Sequence, residues 1–282
     1  MIDLSLIIVN YKQAGLTREC IKNLKAHACR FATEIIVVDN SNDRALREML
    51  GQRYGDVRSI PLARNVGFAA GNNRGIEAAR GRYIALVNYD IIPLPGALDT
   101  LIEYMDAHQD VGIAGPRLHN PDGGIQQSCY HFPSLLTPVY RRLFFGTLPF
   151  GKRHLEHYLM SAEDMSKPKD VDWLQGSFLI VRRSALEEVG LLDEQFFMYL
   201  EDTDWCRRFW CHGWKVRYVP SARMLHLHLR DSAHTMGLAA LRNRLTRIHN
   251  YSALKYFIKQ MRGAYSYVAK EKENDSSRNP VR

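Results

Sequence analysis

Apolar positions in the first half of the chain alternate between strand and helix spacing. Leu4 to Tyr11 is a continuous apolar strand pattern, after which Leu16, Cys20, Ile21, Leu24 and Ala28 recur at helical intervals. A second strand, Glu34 to Val38, runs into the polar stretch Asp39 to Asp43, and a helix follows through Leu46, Met49 and Leu50. Val57 to Leu62 is a third strand, Phe68 to Ala79 a helix ended by Gly81, and Tyr83 to Val87 a fourth strand. That strand leads to Asp90, and Pro93 and Pro95 are expected to stop it before a helix carrying Leu98, Leu101, Ile102 and Met105. Repeated βα units predict a doubly wound, mainly parallel sheet flanked by helices.

The pattern loosens after Pro116. Residues 119–170 hold many aromatic and basic positions with little periodicity, as in a loop over a site. Order returns with a strand from Trp173 to Arg183, helices at Ser184 to Val189 and Glu201 to His212, and a strand from Lys215 to Val219. Helical spacing resumes from Ala239 to Met261, and the polar tail from Lys270 lacks apolar spacing of any use. The expected organisation is one domain over 1–235, with a donor-binding half (1–116) and an acceptor half (117–235). A helical extension (236–269) and a disordered tail (270–282) follow.

Composition narrows the class. The 282 residues can bury a sizeable core, and no apolar run approaches the length of a membrane-spanning helix. The first residues lack a basic n-region, so they read as a strand and the cytoplasm is the expected compartment. Five cysteines without a CxxC pair are expected to be reduced. A net charge of +8 favours anionic partners, but no zinc-finger spacing or RNA-binding aromatic motif points to nucleic acid.

Four clusters could carry chemistry. Asp90, at the carboxyl end of a buried strand, lies where open α/β sheets bind ligands, and one carboxylate with phosphate oxygens can hold Mg²⁺ or Mn²⁺. An Asp capping a turn is the plainer reading. Asp39 could accept hydrogen bonds from a ribose or base, with Asp43 or Ser41 capping the next helix. The stretch Arg64 to Gly75 offers glycines and amides to a diphosphate or nucleobase, or simply packs closely on a sheet. Glu201, Asp202 and Asp204 open a helix behind an aromatic flank; they suit the helix dipole, and a partly dry carboxylate there can be tuned as a general base. His226 and His228 share a strand face and could ligate one metal.

Taken in order, these segments resemble the family 2 inverting glycosyltransferases of GT-A fold, most closely bacterial rhamnosyltransferase-type enzymes. The likeness rests on Ile8 to Tyr11 ("IVNY"), Val37 to Asp43 ("VVDNxSxD"-like), Asn65 to Ile76 ("NxGFAxGxNxGI"), Asp172 to Arg183 ("DWxxGxFxxxRR") and Leu192 through Arg207 ("FDExFFMYxEDxDxCxR"). It implies a catalytic base at Asp202 with Glu201 beside it, and a metal held by Asp90 and His226. It further implies nucleotide-sugar contacts from Asn10, Asp39, Arg64, Asn65, Gly67, Gly71, Asn72, Asn88 and Gly176, with Gly176 and Arg182 shaping the acceptor side. Relatives read "NPD" or "DxD" where this chain has Asn88-Tyr89-Asp90, and Leu192 stands for a Phe.

The resemblance implies transfer of L-rhamnose from dTDP-L-rhamnose, or of a hexose from a UDP donor, to a polysaccharide or polyprenyl-linked acceptor. A decayed sugar-nucleotide-binding scaffold is the non-enzymatic alternative. Nucleotidyl transfer would need a Gly-rich basic signature that Leu4 to Leu16 lacks. Basic and apolar residues mix in Arg141 to Phe145 and Arg242 to Arg262, a pattern suited to an anionic membrane surface and peripheral association. The C-terminal helices could also pair two protomers.

Overall fold

In the computed structural model the described residues are 1–27, 29–142, 144–227 and 243–265. His228, the start of the expected C-terminal helix and the tail from 270 lie outside them. Strands β1 (Leu4–Asn10), β2 (Thr33–Asp39), β3 (Arg58–Pro61) and β4 (Tyr83–Val87) are parallel neighbours in the order β3-β2-β1-β4. Helices α1 (Ala14–Ala26), α2 (Arg44–Arg53) and α3 (Phe68–Ala78) connect them. Side chains of β1 alternate across the sheet: Leu4, Leu6 and Ile8 pack with α1 and α2, and Ile7 and Val9 face α3 on the other side. Both faces are therefore covered, and fully burying each such aliphatic side chain contributes roughly 1.5–3 kcal/mol.

Beyond β4 the sheet is mixed. The order continues β11 (Phe178–Arg182), β6 (Val111–His119), β12 (Lys215–His226), β5 (Ile91–Pro93). β11 is antiparallel to both β4 and β6, whereas β6 and β12 are parallel. The expected α/β sheet flanked by helices is thus present, parallel through the first half and again at β6–β12, with antiparallel pairing at β11 and β5. Chain entering β11 comes from the carboxyl end of β4, through the short strand β10 (Trp173–Leu174), and must run back. Pro93 does not stop a strand: Ile91–Pro93 forms an edge strand on β12, where a missing N–H is tolerated. Gly81 does not cap α3, which ends at Ala79 in extended backbone. A Cβ at Gly81 would lie 2.7 Å from the Ser5 nitrogen, so its role is close approach.

Helix α4 (Ala97–Ala107) covers the α1 face. The aperiodic region contains β7 (Ile125–Gln126), β8 (Cys129–Tyr130), α5 (Thr137–Arg142), a 3-10 turn at Phe144–Thr147, α6 (Pro149–Tyr158) and β9 (Lys169–Asp170). Helices α7 (Arg183–Val189) and α8 (Glu201–Cys211) complete the second face. The last described helix, α9 (Arg244–Met261), seats Tyr256 and Phe257 on Phe196, just ahead of α8. All five cysteines are free, as expected.

Candidate active site

The carboxyl end of β4 fixes Asp90. The Asn88 N–H donates to the Ser177 carbonyl (2.9 Å) and the Ile91 N–H to the Asn88 carbonyl (3.1 Å), closing a turn that carries Tyr89 and Asp90. Register between β5 and β12 pairs Ile91 with His226, and the Leu227 N–H donates to the Asp90 carbonyl. His226 Nε2 lies 3.4 Å from Asp90 Oδ1, and the two residues are 2% and 8% exposed. His226 Nδ1 lies 2.9 Å from Gln126 Oε1. With that oxygen accepting, Nδ1 is a donor and Nε2 faces the Asp90 carboxylate. With Nε2 unprotonated, such an oriented carboxylate–imidazole pair fits a divalent metal. No group of three or more potential metal ligands occurs among the described residues, so phosphate and water oxygens would have to complete the shell. Asn88 takes part through its backbone.

Asp202 lies in the first turn of α8. Tyr199 and Leu200 both adopt left-handed backbone (φ +72° and +66°), costing roughly 1–3 kcal/mol each. Their surroundings hold them there: the Phe68 N–H donates to the Phe197 carbonyl at 2.6 Å and Ser252 Oγ to the Met198 carbonyl at 2.8 Å. The double turn lets α8 begin with its acidic residues. Asp202 Oδ2 accepts the Gly176 N–H (2.9 Å), and Oδ1 accepts the Thr203 N–H (2.7 Å). Burial pushes the Asp202 carboxyl above its ordinary range, while those bonds pull against the shift. Glu201 is buried, Oε2 lacks a hydrogen-bond partner, and burial and then the neighbouring Asp202 raise its carboxyl well above normal. Asp204, by contrast, is enclosed by Arg208, Lys259 and Tyr265. Because Asn88 bonds Ser177 and Gly176 bonds Asp202, the Asp90 turn and the acidic helix start meet at one end of the sheet.

The nucleotide-facing expectations divide. Asn65 Oδ1 accepts from Asn40 Nδ2 and the Gly67 N–H, shaping the loop beside exposed Arg64. Gly67 is obligatory: φ is +94°, and a Cβ would lie 2.4 Å from the Phe197 oxygen. Gly71 and Asn72 lie inside α3 and not in that loop. Gly71 faces Val9, and Asn72 Nδ2 turns back to the Phe68 carbonyl. Asp39 is fully buried and accepts from Asn10 Nδ2, the Ser41 N–H and hydroxyl, and the Asp43 N–H. Those four donors occupy a carboxylate's capacity, so Asp39 and Asn10 brace the loop. Asp43 caps α2 as expected.

Arg182 is a correction. It pairs with Tyr83 at the far end of β4 from Asp90, and its guanidinium bonds the Val111, Met105 and His108 carbonyls. It staples the sheet to α4 and does not shape an acceptor side. Two residues had no role assigned from the sequence. Gln126 orients His226 from 100 positions away. Arg207 lies over the Phe132 ring at 4.2 Å, near Tyr256 and Tyr265. The motif as read from the sequence ends at Arg207, but by its spacing the arginine that answers it is Arg208, which bonds Asp204.

The mixed α/β sheet carries the Asp90–His226 pair and the Asp202 helix start at the same sheet end. Residues 3–250 match the model for glycosyltransferase like family 2, and the chain belongs to that family. N-acetylglucosaminyl-diphospho-decaprenol L-rhamnosyltransferase of Mycobacterium tuberculosis is 31% identical over 72% of this chain and 68% of its own length. Rhamnosyltransferase WbbL of Escherichia coli is 26% identical over 80% of this chain and 84% of its own. The low-salt glycan biosynthesis hexosyltransferase Agl10 of Haloferax volcanii is 32% identical over 73% of this chain and 61% of its own. Among solved structures, GalNAc-T7 with UDP, GalNAc and Mn²⁺ superposes with a TM-score of 0.61 at 16% identity, over 81% of this chain. Staphylococcus aureus TarS gives 0.55 at 15% identity, over 80%. The chain spans 44% and 37% of those two solved chains, and the likeness establishes the GT-A fold.

Proposed function

We propose that residues 1–235 transfer a sugar, L-rhamnose from dTDP-L-rhamnose in the first instance, to a polyprenyl-diphosphate-linked or polysaccharide acceptor with inversion. The observation that carries this is Asp202, held by Gly176 at the same sheet end as the Asp90–His226 pair. Asp202 accepts the acceptor hydroxyl's proton as that oxygen bonds the anomeric carbon, and the bond from that carbon to the nucleoside diphosphate breaks. A raised carboxyl pKa suits this, since the base must be ionised at neutral pH yet basic enough to take a proton. Asp90 and His226 would hold Mg²⁺ or Mn²⁺, which supplies Lewis acidity toward the leaving diphosphate. Asn65, Gly67 and Arg64 border the donor, with Asn10 and Asp39 bracing their loop. Glu201 sets the environment of Asp202.

The relatives' names support the transferred sugar, and one of them names a decaprenol-linked acceptor. A lipid-linked acceptor brings the protein to the cytoplasmic membrane face as a peripheral enzyme. No helix among the described residues is long and apolar enough to cross a membrane. Agl10 supports a second reading, transfer of a hexose. A panel of dTDP-rhamnose and UDP-hexoses tests both, read as nucleoside diphosphate release with the parent chain in Mn²⁺. Release from dTDP-rhamnose and inverted anomeric configuration in the product are expected. Release from a UDP-hexose alone would favour the second reading, and release from none would leave a binding scaffold.

A further inference from the structure

The acidic helix leads away from the Asp90 cleft into a feature the transfer chemistry does not use. Arg207 Nε is buried without a hydrogen-bond partner, and the guanidinium lies over the Phe132 ring at 4.2 Å. Next to it, 5.5 Å from the guanidinium to the ring, Tyr256 is fully buried, with a hydroxyl that also lacks a partner. Native proteins rarely leave buried polar groups unanswered, at a cost of about 1–3 kcal/mol each. A guanidinium and a phenol can both donate, which matches an anion with several acceptor oxygens.

Phe257, the next residue after Tyr256 on α9, lines an apolar groove of about 500 Å³ together with Ser134, Leu135, Leu136, Gln260 and Met261. Leu135, Leu136 and Met261 are 60%, 51% and 70% exposed. Chain on both sides of the groove leads toward the candidate site. Phe132, stacked on Arg207, lies two residues before Ser134, and β8 behind it pairs with β10, two residues short of Gly176. The other wall, α9, packs on Phe196 and bonds Met198, ahead of Glu201. Arg207 itself is on α8, little more than one turn after Asp202.

We propose that Arg207 and Tyr256 bind the diphosphate of a prenyl-diphosphate-linked acceptor and that the groove between residues 134–136 and the end of α9 takes its first isoprene units. This rests on the transferase reading and names where its acceptor's lipid part lies. An anionic head beside an apolar tail is the chemistry that unanswered donors beside an exposed apolar groove complement.

Farnesyl diphosphate, titrated into the full chain in EDTA by calorimetry beside farnesol and inorganic pyrophosphate, tests it. Farnesyl diphosphate is expected to bind more tightly than either fragment. Arg207→Gln should weaken it by about 10-fold to 100-fold, and Tyr256→Phe by about 10-fold. Leu136→Ser with Met261→Ser should reduce its affinity to that of pyrophosphate. Those two side chains are exposed, so this variant stays folded even if Arg207→Gln does not; Arg207→Lys, expected to retain part of the affinity, is the conservative control. Unchanged farnesyl diphosphate affinity in Tyr256→Phe and in the groove variant would overturn the site. Loss of anionic-vesicle binding without loss of farnesyl diphosphate would assign the groove to a bilayer instead. Donor turnover, measured separately, reports on the transferase reading alone.

Discussion

Lys259 Nζ, in the last turn of α9, lies 2.6 Å from Asp204 Oδ1 in the first turn of α8. The same ammonium reaches Asp193 Oδ2 at 2.7 Å, and Tyr265 donates to Asp204 at 2.5 Å. A helix remote in sequence therefore clamps the segment that presents Glu201 and Asp202. Removing one partner of a buried pair leaves a charge stranded. Lys259→Met is expected to cost roughly 2–4 kcal/mol of stability, Arg208 still sharing Asp204. Urea unfolding measures it, and an unchanged midpoint would show that α9 is not a brace.

Glu201 carries the opposite sign. Its folded carboxyl is raised well above its unfolded value, so its favourable contribution is complete below the unfolded pKa and is lost as pH rises through the folded one. Glu201→Gln removes that ionisation cost. The variant is expected to melt above the parent at pH 8, with the gap closing toward pH 4. Melting curves across that range check it; a gap constant with pH would place the effect elsewhere.

On the proposed reading the Asp90–His226 pair holds a divalent metal. EDTA is expected to abolish turnover and Mn²⁺ to restore it. Gln126→Ala frees the His226 ring, and such outer partners are worth roughly 10-fold to 100-fold in metal affinity. Mn²⁺ titration of activity should show that shift. Asp90→Asn should show a larger one.

Gly67 joins the Asn65 loop to the segment that leads into Glu201 and Asp202. A side chain there meets the Phe197 carbonyl and forces left-handed backbone on a non-glycine residue. Gly67→Ala is expected to lose roughly 1–3 kcal/mol and to lower turnover by disturbing Tyr199 and Leu200. Thermal melting and donor kinetics together would show both.

Much of this was legible from spacing. Strands β1, β2 and β4 announce themselves as buried apolar runs, and Asp90 and Asp202 stood out as carboxylates at element ends. Hidden were features made by distant partners. Arg182 sits in a motif yet faces the other end of the sheet, because β11 runs antiparallel and sequence pattern carries no direction. β12 extends to His226, past the expected end at Val219, because Pro220 breaks the pattern at a bulge between Val219 and Arg223 that the ladder absorbs. Arg207 gained its meaning from rings contributed by β8's exit and by α9, which no local window contains.

The most direct test of the account compares Asp202→Asn with the parent in Mn²⁺, measuring glycoside formation and donor affinity in parallel across pH. Donor affinity should be retained, transfer should fall by about 10²–10⁴-fold, and the parent's rate should drop on acidification with a midpoint above the ordinary Asp range. An Asp202→Asn variant that forms glycoside at the parent's rate would contradict it.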